Sequence, residues 1–143
     1  GAAERGEAGH ERGAVAAGTV GGVNFGGPIM EGPNCHGVGA CNQAGLVAPI
    51  HSYLTVEGCA VVGGYVYRAA RVAVLAGHHV CSDYCAGVIR TFQVSGGGAA
   101  TNHRTRAGAV NPGAGVTSFG EDAGGDLYVM TLGGKLYRFV SGN

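Results

Sequence analysis

Five cysteines, six histidines and nine acidic side chains supply the chemistry available to this 143-residue chain. Two groupings contain metal-ligand residue types: His78, His79, Cys81 and Cys85, and the shorter Cys35, His36 and Cys41. Thiolate and imidazole are donors that zinc accepts, but structural zinc sites favour C-x2-C pairs, and neither grouping contains one. The competing chemistry is oxidative. Cys35 and Cys41 flank the tip of a Gly-rich loop, where a disulfide closes a short local ring. Disulfides persist in oxidising compartments, so that reading puts the protein outside the cytosol, secreted and extracellular or periplasmic.

Other residues invite weaker readings. Glu121, Asp122 and Asp126 bracket a Gly124-Gly125 turn, and clustered carboxylates are what Ca2+ takes. The alternating D-x-D-x-D-G order of a calcium loop is absent, and a plain hairpin turn explains the same residues. His51 and Tyr53 share one face of a short extended stretch, where a histidine is ordinarily a surface residue. Gly96-Gly97-Gly98 is followed by neither a helix nor a Lys-Ser/Thr pair, so phosphate-loop logic fails. Together with His103-Arg104-Thr105-Arg106 it reads as part of a solvated loop over 95–112.

Nine basic and nine acidic residues balance to zero, with no dense Lys/Arg run, which argues against a nucleic-acid partner. No apolar run reaches the roughly 18 residues of a membrane span, and no charged-then-apolar leader opens the sequence. Hydrophobic residues make up 45%, but thirty glycines and the absence of Trp leave little to pack.

The elements that must position these side chains read as all-β. Three Val/Ile/Tyr-rich runs, Cys59 to Tyr67, Val72 to Cys81 and Val88 to Val94, are bounded by Gly, Ser or Asp and predict a meander of antiparallel strands. In the first, Val62, Tyr65 and Tyr67 do not keep one parity, which predicts a sheet covered on both faces. Residues 46–55 predict an edge strand, because Pro49 cannot donate to a central ladder. Three further strands are expected at Val116 to Phe119, Leu127 to Leu132 and Leu136 to Val140. Residues 1–18 are Ala, Gly, Glu and Arg with almost no large apolar side chain and predict disorder, and 19–43 predict a Gly/Pro-rich connection.

Three ordered blocks resemble one family. Asn24-Phe25-Gly26-Gly27-Pro28-Ile29-Met30-Glu31-Gly32 is similar to an N-Y-G-W-P-x-x-E-G motif, with Gly27 where the motif has Trp. Gly58-Cys59, Gly63-Gly64-Tyr65-Val66-Tyr67-Arg68, Leu75-x-Gly77 and Ser82-Asp83-Tyr84-Cys85-x-Gly87 follow in order. Ser118-Phe119-Gly120-Glu121-Asp122, Asp126-Leu127-Tyr128-Val129 and Gly134-Lys135-Leu136-Tyr137-Arg138-Phe139 complete the set. These resemble the late blades of the glucose/sorbosone dehydrogenase-like β-propellers. That family includes sugar dehydrogenases that use pyrroloquinoline quinone (PQQ) and a hedgehog-interacting protein-like branch.

The resemblance implies a partial β-propeller, about two blades of antiparallel meander sheets with long Gly-rich loops over 19–143. A full ring of this kind needs about three times the length. It also implies a Cys59–Cys85 disulfide beside Cys35–Cys41, with Cys81 left over. In the PQQ enzymes the general base lies on an earlier blade, and the late blades supply a Lys and two Arg that hold the cofactor's carboxylates. Those positions fall on Cys85, Gly115 and Thr117, none of them cationic. The expectation is therefore the C-terminal portion of a secreted propeller, a binding or structural module without its own catalysis. The alternative is a fragment of a PQQ-dependent sugar dehydrogenase oxidising aldoses, with its catalytic residues on blades outside this chain. A sugar or an extracellular protein is the partner implied. Exposed blade faces predict self-association or membership of a larger chain.

Overall fold

A computed structural model of the chain describes residues 12–14, 22–27, 29–37, 39–106 and 112–142. Among them there is no α-helix, and every strand pairing is antiparallel. Two small ladders come first: β1 (Arg12–Ala14) pairs with β4 (His51–Tyr53), and β2 (Met30–Glu31) pairs with β3 (Asn34–Cys35). The expectation of disorder for 1–18 thus meets described structure only at 12–14, and the rest of that segment lies outside the described residues. The edge strand expected over 46–55 is confined to the three residues of β4.

The main sheet is a four-stranded meander of β5 (Val61–Val66), β6 (His79–Asp83), β7 (Ile89–Val94) and β8 (Ala100–Thr105). A second meander of β9 (Val116–Glu121), β10 (Leu127–Thr131) and β11 (Leu136–Arg138) follows. One buried cluster joins the two sheets, with Val80 and Ile89 from the first and Val116, Phe119, Leu127 and Val129 from the second. Tyr67, Leu75 and Phe139 close it.

Three details differ from the sequence expectations, each for a physical reason. The middle run does not begin a strand at Val72: Ala73–Leu75 forms a 3-10 turn that inserts Leu75 into the core, and β6 starts only at His79. Gly77 at φ +73° completes the reversal. The first strand is a half-exposed edge rather than a doubly covered one, with Tyr65 at 40% and Val66 at 39% exposure. Its parity breaks because the register with β6 shifts between Val62 and Tyr65, a bulge at Gly63-Gly64. A Cβ on Gly64 would run into the Val80 carbonyl, so the close approach needs glycine. Lastly, 100–105 is not loop but strand β8, ladder-paired with β7. Its Ala-Thr-Asn-His-Arg-Thr sequence is exposed along nearly all its length, and an outermost strand with water on both sides carries no alternation to reveal it.

Candidate functional site

Residues of β6 and β7 alternate between the two faces of the main sheet. Val80 and Ile89 enter the inter-sheet core, whereas Cys81, Asp83, Arg90 and Phe92 turn to the opposite face, which β4 covers. Here the chemistry-bearing side chains collect.

Asp83 is the hub. It is fully buried and accepts four hydrogen bonds: Oδ2 from the Tyr53 hydroxyl at 2.9 Å and the Ala60 N–H at 2.8 Å, and Oδ1 from the N–H groups of Cys85 at 2.8 Å and Ala86 at 2.9 Å. Burial works to raise its pKa, but the backbone donors and the Tyr53 hydroxyl outweigh it and hold the carboxyl below its ordinary value. Burial and the same partner raise the Tyr53 phenol. The Cys59–Cys85 disulfide, with Cα atoms 5.6 Å apart, closes over this carboxylate. Gly58 packs against it so tightly that a Cβ would collide with Asp83. The G-C…D-x-C pattern is thus one clasp, in which glycine makes room, the carboxylate gathers the segments and the bridge locks them.

Cys35 and Cys41 form the other disulfide, with Cα atoms 5.7 Å apart. Cys81 is free and buried, and burial pushes its thiol up to about 12, far from a reactive thiolate. The metal readings therefore lose their donors. Among the described residues, Cys59, Asp83 and Cys85 are the trio whose ligand atoms lie within 4.8 Å of one another. Both sulfurs are bonded to each other, and the carboxylate oxygens are committed. His78, His79, Cys81 and Cys85 form no such cluster, and Cys35 and Cys41 are used in their bridge.

The three carboxylates of the 121–126 turn likewise point apart. Glu121 Oε2 pairs with Arg68 at 2.6 Å, and Asp126 Oδ2 accepts from Arg71 Nε at 2.6 Å while its Oδ1 accepts from the Tyr67 hydroxyl at 3.0 Å. Arg71 in first place, with Tyr67, holds Asp126 below its ordinary pKa. Asp122 caps its own turn, accepting from the N–H groups of Gly124 at 2.9 Å and Asp126 at 3.0 Å. A hairpin held by side chains accounts for these residues, and they gather no calcium-like cage.

Cys85, Gly115 and Thr117, where the resemblance would place cofactor-holding cations, come from neighbouring segments, and the Gly115 N–H donates to the Tyr84 carbonyl at 2.6 Å. They do not fit the cofactor. Cys85 is disulfide-bonded, Gly115 sits at φ +85°, and the Thr117 hydroxyl donates to the Met130 carbonyl at 3.2 Å.

The histidines form a constellation that sequence reasoning missed. The rings of His51 and His79 lie 5.0 and 4.9 Å from Phe92, and His103 lies 4.6 Å from His51. His51 is half-buried rather than a free surface residue. Burial, then the proximity of His103 and Arg90, depresses its pKa to about 4, and burial lowers His79. Arg90 lies 4.3 Å over the Tyr53 ring. Between β4 and the β7–β8 edge His51, Tyr53, Arg90 and His103 open onto a groove of about 280 Å3. The His51/Tyr53 face was visible in the sequence. Its meeting with His103 was not, because that contact requires β8 to be a strand. A separate hollow of about 510 Å3 lies between β5 and β9, lined by Gly63, Gly64, Tyr65, Thr117 and Ser118. No protein-family model matches this chain, and no solved structure matches it.

Proposed function

We propose that this chain is the C-terminal portion of a secreted, glucose/sorbosone dehydrogenase-like β-propeller that acts as a binding or structural module and has no catalysis of its own. The observation that carries the reading is the use made of the reactive side chains. Asp83, Tyr53, Asp126, Arg71 and four cysteines are each spent in a buried or half-buried bond that holds two segments together. None is left poised as a nucleophile or a general base. The cations that would hold a quinone carboxylate are replaced by a disulfide cysteine, a glycine and a threonine.

Two features support the propeller side of this reading. The meanders begin at Val61 and Val116, a spacing comparable to the length of a propeller repeat of about 40–50 residues plus loops. Their first strands, β5 and β9, are each the edge of their sheet and lie beside one another, as the inner strands of adjacent blades would. Two disulfides support export to an oxidising compartment.

The test is a titration of the oxidised protein with PQQ in the presence of Ca2+, followed by cofactor fluorescence and by dye-linked oxidation of aldoses. The expected outcome is no saturable quenching and no turnover. Saturable micromolar binding with aldose oxidation would overturn the reading.

A further inference from the structure

The groove between β4 and the β7–β8 edge is lined by His51, Arg90, His103 and Arg104, and Glu57 is the carboxylate on its wall among the described residues. We propose that this groove binds a tetrahedral oxyanion, sulfate or phosphate, free or carried as an ester. The inference stands on the groove alone and does not depend on the propeller assignment.

Charge gives the sign of the ligand. Counting the guanidiniums and the carboxylate alone, two cations face one anion, and the excess is positive. Arg90 is held by Glu57 and by the Tyr53 ring: its Nη2 donates to the Glu57 carbonyl at 2.8 Å, Nη1 lies 3.6 Å from Glu57 Oε1, and the guanidinium lies 4.3 Å over the ring. Its Nε is buried without a hydrogen-bond partner. Arg104 has no ion pair or side-chain hydrogen bond among the described residues. Guanidinium is the side chain best shaped to hold an oxyanion through paired N–H groups.

The groups facing His51 agree. His103 on β8, Arg90 on β7 and His79 on β6 all disfavour its protonated form, and Glu57 alone among its charged neighbours favours it. Asp83 lies behind Tyr53, bound to its hydroxyl, and β1 sets Ala14 opposite His51 and Arg12 opposite Tyr53 in the ladder. An anion in the groove counters this crowding of positive charge, whereas a metal cation would add to it. The His51 and His103 rings also lie tilted at 31° to each other, and they form no cluster with a third donor among the described residues. The volume of about 280 Å3 accommodates one such ion with its water.

The experiment is an NMR titration of the histidine ring protons of the oxidised chain with sodium sulfate and with phosphate, against sodium chloride at matched ionic strength. The expected result is a saturable shift of the His51 and His103 resonances, an upward move of the His51 titration midpoint, and no equivalent effect of chloride. Arg104→Gln, an exposed change with little bearing on folding, should weaken the binding at least about tenfold, the scale of one lost charge-assisted contact. Lys135→Gln, remote from the groove, should leave it unchanged. Methyl sulfate and methyl phosphate separate the sources: binding as tight as that of the inorganic ions assigns the ester, and binding of the inorganic ions alone assigns the free anion. Shifts that follow ionic strength alone, or an Arg104→Gln variant that binds like the parent, would overturn the proposal.

Discussion

Asp83 accepts four hydrogen bonds from a site with no exposure, so its removal strands one hydroxyl and three N–H groups at once. Each buried orphan costs about 1–3 kcal/mol, and water entering the space left behind recovers part of it. Asp83→Ala should therefore lower the unfolding free energy by about 3 kcal/mol or more, measured by urea denaturation of the oxidised protein. A loss below about 0.5 kcal/mol would contradict the clasp. Gly58→Ala should destabilise through the same carboxylate, because the new methyl group occupies its place. His51 sets a pH dependence. Its folded pKa of about 4 lies below the unfolded value near 6.5, so the folded state binds fewer protons in that interval. Stability should be level between about pH 7 and pH 8 and fall progressively as pH drops from 6.5 toward 4. Asp83 and Asp126, held low, lose their contributions only below the ordinary carboxylate range. Urea midpoints measured from pH 8 to pH 4.5 for the parent and His51→Phe check this, and the variant should lose the part of the slope that His51 supplies while keeping that of His79, which burial also lowers.

The strands whose side chains alternate against a core were legible in the sequence, and those held by backbone alone were not. β7, β9 and β10 fall on apolar runs bounded by turn residues, so period and punctuation agree, and β11, exposed throughout, was legible from its apolar run and flanking turn alone. β8 escaped because hydrogen bonds to β7 define it while its side chains face water. The 3-10 turn at Ala73–Leu75 escaped because Val72, Val74 and Leu75 have strand-like composition and only the tertiary fit of Leu75 decides otherwise. The G-C…D-x-C spacing was visible, but nothing local says that Asp83 rather than the cysteines is its centre. The histidine groove depends on both the β4 docking and β8, and so was the least legible feature. This layout predicts a gradient in hydrogen exchange. Amides of β6, β7 and β10, each flanked by two strands, should be the slowest, and those of the edge strands β8 and β11 the fastest. Equal protection in β8 and β6 would contradict it. Gly64→Ala should destabilise by forcing β5 away from the Val80 carbonyl, which the same exchange experiment reads as lost protection in β5.

At the scale of the molecule, two meanders share one core but leave the far side of the second sheet uncovered. Leu132, Leu136 and Val140 are 71%, 64% and 61% exposed, and β11 is an open edge. Such a combination favours association. Light scattering should show a concentration-dependent rise in mass that Leu136→Lys diminishes, and a monomer at high concentration would contradict this. The two bridges contribute unequally: on the loop-entropy model, closing 26 residues stabilises by about 3.5 kcal/mol and closing 6 by about 2 kcal/mol. The Cys59–Cys85 clasp is therefore the bridge on which the oxidised fold most depends. Peptide mapping of the protein from its native source, alkylated without reduction, tests that claim directly. The account predicts Cys59 linked to Cys85, Cys35 linked to Cys41 and Cys81 alone recovered as a thiol once unfolded. Recovery of Cys59 and Cys85 as alkylated free thiols would contradict it.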